Sequence, residues 1–500
     1  MLARTLFALF VTMFVSSLNL IANVEGAPKI KTYTAAVVEV NSIITQQAVE
    51  IIRSKELKGV DIVVFPEGIF DQQNTPVALP STKSAYCDDP NADLLLQKVS
   101  CAARKAKMYV VIDLVVKVQC SLAEWLCCPN SGDSTHIYNM AIAFDRNGVA
   151  IAMYRKYHLF GEYGVEQPKN PDLTTFKTDF NVTFGFAICF DLMFADPMEN
   201  LMQKGVKHFV HQAAWFSELP YLTSAQYQQS WAYANNVNLL AANVNAPNIG
   251  CSGSGIYSGR SGALQVFVSE SPATKILIAK VPIDLPTSSQ EQITKRQNSN
   301  IKLVKTRSIS PQNIGDISQD VNLSKFSVKF LNFSQHLSQS GSLCNNNICC
   351  NYSIVVSDSG EAKGKSSYSY AISVFNGLRR YNGIKNVLTG QDVCSVIACA
   401  EMNSKESCGI EIPKKTLHSR YNFKKLYLET TIPVTHMKIM PNTLSHELLP
   451  LKTNEFDFKL SEIKGANKYS AALKLKSMKS NIFTFAIFSR DYDRDVVDEA

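Results

Sequence analysis

The stretch FGFAICFDLMFADP, Phe184 to Pro197, is apolar through Ile188, presents a single cysteine at Cys189, and then places an aromatic and an acid side by side. A short apolar run without alternation is the pattern of a strand covered on both faces. Such a strand needs a packed layer on each side, so the stretch reads as part of a layered α/β domain. It also sets Cys189 at a strand's carboxyl end, where open α/β sheets bind ligands.

Working outward, the same alternation of elements holds from residue 31 to about 285. TYTAAVVEV, VDIVVFPE, MYVVIDLVV, IYNMAIAF, KHFVHQ, NLLAANV and ALQVFVS read as further strands. SIITQQAVEIIRSKEL, NADLLLQKVSCAARKAK, PMENLMQKG and SAQYQQSWAYANN have helical spacing. Two sheets sandwiched between helices, a four-layer α-β-β-α arrangement over residues 28–290, accommodate that count. The polar segment 291–325 is expected to be a linker. NYSIVVSD, SYSYAISVF, KLYLETTIPV and IFTFAIFSR then alternate with few helical candidates, so residues 326–500 are expected to form a mostly β, disulfide-stapled domain. The Gly-rich SGSGIYSGRSG reads as a loop or turn between strands.

A chain of 500 residues exceeds what one core usually organises, and 46% apolar against 19% charged residues is a folded composition. The formal charge of +7 is spread along the chain rather than gathered on one segment, which argues against a nucleic-acid partner. Arg4, an apolar stretch and small residues near Gly26 and Ala27 have the order of a secretory signal peptide over residues 1–27. No later stretch is long enough to span a membrane, and the charged C-terminus lacks the hydrophobic tail of a GPI signal, so a secreted protein is expected. Sequons at Asn181, Asn322, Asn332 and Asn351 are candidate glycosylation sites on that route.

Thirteen cysteines is an odd number for an oxidising compartment. Setting Cys189 aside leaves six before residue 260 (Cys87, Cys101, Cys120, Cys127, Cys128, Cys251) and six after 340 (Cys344, Cys349, Cys350, Cys394, Cys399, Cys408). Twelve paired cysteines and one free thiol at Cys189 are therefore expected.

Two other polar residues fall at or just beyond strand ends. Glu67 closes VVFPEG, and Lys156 lies in MYRKYHLFGE. A carboxylate able to take a thiol proton, a cysteine able to attack a carbonyl, and an ammonium able to hold the resulting oxyanion are a coherent set for amide hydrolysis. The backbone N–H of Phe190 is a second candidate oxyanion donor.

VVFPEG, YRKYHLFGE and AICFDLMFADP, in that order, resemble the nitrilase (carbon–nitrogen hydrolase) superfamily with its Glu-Lys-Cys triad. TFGFAICFDLMFADP, AAWFSELP, NLLAANV and SGSGIY look like its vanin and biotinidase branch. The resemblance spans roughly residues 30 to 290. It implies Glu67 as general base, Lys156 as oxyanion stabiliser and Cys189 as nucleophile. It further implies Glu162 as the second glutamate that positions substrate and lysine, and Trp215 as a pocket-lining residue. A small-molecule amide of a vitamin-derived acid is the implied substrate, pantetheine first and biotin amides second, with no cofactor. A secreted binding protein without turnover is the non-enzymatic alternative. His208 and His211 stand three apart in a strand-like run and would point to opposite faces, so no metal site is expected.

Overall fold

The computed structural model describes residues 31–41, 43–70, 84–119, 135–285, 323–359, 367–381, 384–412 and 419–497. In the first part of the chain the strands are β1 (Thr32–Glu39), β2 (Ile62–Val64), β3 (Tyr109–Gln119), β4 (Thr135–Phe144), β5 (Ala150–Arg155), β6 (Thr175–Lys177), β7 (Thr183–Ile188), β8 (His208–Ala213), β9 (Asn238–Asn243), β10 (Ser254–Ser258), β11 (Ala263–Phe267) and β12 (Lys275–Pro282). The helices are α1 (Thr45–Ile52), α2 (Leu94–Ala106), α3 (Met198–Gln203) and α4 (Ser224–Asn235).

These strands form two six-stranded sheets, in the orders β12-β1-β2-β3-β4-β5 and β11-β10-β9-β8-β7-β6. The central strands β1-β2-β3 and β7-β8-β9 are parallel. Strand periodicity decides what each sheet face meets. Ala35, Val37, Ile62, Val64 and Val111 face the second sheet in one core, while Ala36, Val38, Val63, Val110 and Ile112 pack in another with the apolar residues of α1 and α2. The expected α-β-β-α order is present.

Helix α4 departs from an ordinary outer helix, because every residue from Ser224 to Ala232 is buried. The second part of the chain covers it. Gln226 Nε2 donates to Asn442 Oδ1 (2.6 Å) and Gln229 Nε2 to the Leu451 carbonyl (2.8 Å), so glutamines that would be costly to bury alone are satisfied across the boundary.

That second part contains β13 (Ser327–Leu331), β14 (Ser338–Asn345), β15 (Ile348–Asp358), β16 (Ser369–Tyr381), β17 (Ile384–Cys399), β18 (Tyr421–Pro433), β19 (Met437–Ser445), β20 (Phe456–Ile463), β21 (Lys468–Leu475) and β22 (Ile482–Val497). They make two five-stranded sheets, β13-β16-β17-β22-β19 and β14-β15-β18-β21-β20. Disulfides Cys344–Cys349, Cys350–Cys394 and Cys399–Cys408 staple this region, the second of them joining one sheet to the other.

Two expectations are corrected. Ser254–Ser258, read as a loop for its glycines, is the buried strand β10, and Gly255 is there because the Tyr257 ring lies where a Cβ would be, 2.4 Å away. Cys251, counted as half of a disulfide, is a buried free thiol like Cys189. Its Sγ packs 3.9 Å from the Ala214 carbonyl, inside the protein rather than in an exposed turn. Cys87 pairs with Cys101, whereas Cys120, Cys127, Cys128 and the sequon residue Asn322 lie outside the described residues.

Glu39, at the end of β1, is fully buried and accepts hydrogen bonds from Asn245 Nδ2 (2.7 Å), Ser252 Oγ (2.6 Å) and the Gly253 N–H (3.2 Å). Burial outweighs these donors and pushes its carboxyl up to about 7. The folded protein thus holds this proton more tightly than the unfolded chain does, so Glu39's contribution to stability falls as pH rises from about 4.5 through 7. Glu39→Gln removes that slope. Denaturation midpoints at pH 5 and pH 8 should therefore show the variant gaining on the wild type by about 3 kcal/mol between the two values, whatever the constant cost of the amide. An unchanged difference would contradict this reading of Glu39.

Candidate active site

The carboxyl ends of β2, β5 and β7 bring distant residues together. Glu67 stands three residues beyond β2, Lys156 follows β5 directly, and Cys189 follows β7. All three are buried. Lys156 Nζ donates to Glu67 Oε1 at 2.7 Å and also to Glu162 Oε1. Gly161, at φ 78°, lets the loop after β5 turn back so that Glu162 reaches the lysine. The Phe160 N–H holds the other Glu162 oxygen at 2.5 Å.

Glu67 is fixed on both oxygens. Asn139 Nδ2 donates to Oε1 (2.7 Å) and the Ala214 N–H to Oε2 (2.8 Å). Burial works against the charge on Lys156, but the carboxylates of Glu67 and Glu162 outweigh it, and its pKa stands well above the ordinary lysine range. The Cys189 thiol is pushed up, first by burial and then by the Glu67 charge, with Lys156 pulling the other way. At rest the sulfur is a thiol, and a base beside it is what would make it a nucleophile.

Cys189 has φ 43°, in the left-handed region that costs a non-glycine residue roughly 1–3 kcal/mol and that clusters at functional sites. The turn it begins, Cys189–Met193, is held from several sides. Asp191 accepts from Tyr154 Oη (2.8 Å), the Ile188 N–H (2.9 Å) and the His158 N–H (2.9 Å). His211 Nε2 bonds the Cys189 carbonyl at 3.2 Å, and Arg490 Nε donates to the Met193 carbonyl at 2.9 Å.

A recess opens on Cys189, and Phe190 and Trp215 line it. Trp215 is anchored by its indole N–H on the Leu222 carbonyl (3.0 Å) and stacks on Tyr227 at 5.4 Å between ring centroids. The sequence-based set Glu67, Lys156, Cys189, Glu162, Phe190 and Trp215 is therefore gathered in one place. His208 points elsewhere, to the Tyr33 hydroxyl and the Ile283 carbonyl. Among the described residues no group of three or more His, Cys, Asp or Glu side chains is placed to hold a metal ion.

Sequence reasoning missed Asn139, Asp113, Glu218 and Tyr381. Asn139 and Asp113 carried a signal: each interrupts an apolar run of its strand, on the face shared with Ala141 and Val111. Asp113 accepts the Gly68 N–H at 2.9 Å, and burial together with the Glu67 charge raises its carboxyl well above the usual range.

With this geometry in place, family comparison is direct. The carbon-nitrogen hydrolase family model matches residues 27–278, just over half of the chain. The chain belongs to the carbon–nitrogen hydrolase family. A match to the vanin C-terminal domain over residues 316–495 puts this carbon–nitrogen hydrolase in the vanin and biotinidase branch. It is 34% identical to Vanin-like protein 1 of Drosophila melanogaster over 494 residues, covering 93% of this chain and 86% of that protein. It is 28% identical to Biotinidase of Mus musculus, covering 92% of this chain and 93% of that protein. Saccharomyces cerevisiae Nit3, a solved member of the nitrilase superfamily, overlaps 56% of this chain and 97% of its own at 20% identity and a TM-score of 0.38. This carbon–nitrogen hydrolase is an amidohydrolase of the nitrilase superfamily, acting on small molecules at bonds other than peptide bonds.

Proposed function

We propose that the protein cleaves a linear secondary amide of a vitamin-derived acid through a thioester on Cys189, with pantetheine, split to pantothenate and cysteamine, as the first-choice substrate. The observation that carries this reading is the buried Glu67–Lys156–Glu162 chain beside a cysteine in the left-handed conformation. Glu67 takes the Cys189 proton as the sulfur attacks the amide carbon. Lys156 and the Phe190 N–H hold the oxyanion, and Glu162 keeps Lys156 in place. Glu67 passes its proton to the leaving amine, then removes one from the water that cleaves the thioester and regenerates the thiol.

Similarity to Biotinidase across most of the chain favours biotin amides as the second reading. The two acyl groups would use one set of reacting residues and differ in the recess. Hydrolysis of a pantothenate amide and a biotin amide side by side, by the purified protein and by Cys189→Ala, tests both. The expected result is a kcat/KM at least about tenfold higher for the pantothenate amide, lost in the variant. The reverse order would move the assignment to biotin amides, and cleavage of neither would contradict both readings.

The four described disulfides support an oxidising, extracellular setting. Among the described residues no helix is long and apolar enough to cross a membrane. The protein is proposed to be secreted after removal of residues 1–27 and glycosylated on that route. Asn181 and Asn351 are exposed and Asn332 is half-buried, which supports them as acceptors. The hydrolase domain would end near 290 and the β domain begin near 326.

A further inference from the structure

The recess on Cys189 is not closed by the hydrolase part of the chain. Tyr381, the last residue of β16 in the second part, lines it opposite Phe160 and Phe190. Its ring meets Phe190 edge-on at 5.0 Å and Phe160 at 6.5 Å between centroids. Its hydroxyl turns away from the recess chemistry, bonding Thr389 Oγ1 (2.8 Å) and Gln391 Nε2 (3.0 Å) within its own sheet. The ring is thereby locked on one side and offered on the other. Beside it, Arg379 stacks over the Tyr381 ring at 4.8 Å and forms a buried ion pair with Glu218, a carboxylate that also lines the recess. The pair ties the wall to the loop after β8, so this wall and the cysteine are fixed in one frame.

We propose that the second part of the chain is a working part of the substrate site, with Tyr381 and the Arg379–Glu218 pair forming the wall that selects the acyl group. The chemistry of that wall selects a compact apolar body that packs against the Tyr381, Phe160 and Phe190 rings. It also selects a neutral N–H or O–H donor able to reach Glu218. This rests on the reading of Cys189 as the nucleophile but not on which amide is the substrate.

The test uses the full-length protein with Tyr381→Ala and Tyr381→Leu. Alkylation of Cys189 by iodoacetamide and by its N-benzyl derivative, located by peptide mass, measures the space in front of the sulfur, and the small reagent calibrates each variant's folding. Tyr381→Ala should raise the benzyl-to-parent rate ratio at least tenfold, and Tyr381→Leu should raise it less. In the same variants the ratio of kcat/KM for pantothenate amide over biotin amide should change at least tenfold. An unchanged reagent ratio would overturn the proposal even if both amides were cleaved. A changed reagent ratio with an unchanged amide ratio would overturn it too. A changed reagent ratio with neither amide cleaved by the wild type would support the wall and sink the vitamin-amide reading instead.

Discussion

Replacing Cys189 by serine should lower turnover by about four to six orders of magnitude while the protein folds as before. The side chain is nearly isosteric, and the bonds that hold its turn run through the Cys189 carbonyl and through Asp191 rather than through the sulfur. What changes is acidity. A carboxylate such as Glu67 can take a proton from a thiol in the course of attack, even one that burial has pushed up, but a serine hydroxyl lies far beyond its reach. Melting temperature and kcat measured together check this: a stable protein with no turnover is expected, and normal turnover in the variant would end the thioester mechanism.

Lys156→Met should damage turnover and stability at once. Losing an oxyanion donor costs roughly 100- to 1,000-fold in kcat. Losing the cation also leaves the Glu67 and Glu162 carboxylates facing each other without their shared partner, and breaking a buried pair in this way typically costs about 3–5 kcal/mol. The two effects separate in the double variant Lys156→Met, Glu162→Gln. Removing one of the stranded charges should recover much of the stability and none of the turnover. If the double variant regained activity, Lys156 would be a structural cation and not an oxyanion donor.

The layered fold and the placement of Glu67 and Cys189 at strand ends were legible in the sequence for one physical reason. Parallel strands covered on both faces are continuous apolar runs, and whatever polar residue ends such a run sits at the sheet's carboxyl edge. Glu67 and Cys189 are marked in that way, whereas Lys156 follows the partly exposed edge strand β5, which is antiparallel to β4. Elements whose context is supplied from far away were not legible. Strand β10 hides behind a Gly-rich pattern in which Gly255 admits the Tyr257 ring. Helix α4 carries glutamines that look solvated but bond to Asn442 and Leu451. Cys251 was counted as half of a disulfide and is a free thiol buried against Ala214, whose N–H also holds Glu67. Tyr381, Arg379 and Arg490 reach the site from more than 160 residues away, through sheet packing that no local pattern encodes.

The central claim is that the acyl group passes through the Cys189 sulfur. Rapid acid quenching of the purified protein during turnover of the pantothenate amide, followed by mass analysis of the peptide containing Cys189, tests it most directly. The account predicts that this peptide alone gains the mass of the acyl group, that the adduct decays on the timescale of turnover, and that it is absent in Cys189→Ala. Steady product release with no adduct on Cys189, or an adduct on Cys251 instead, would contradict it.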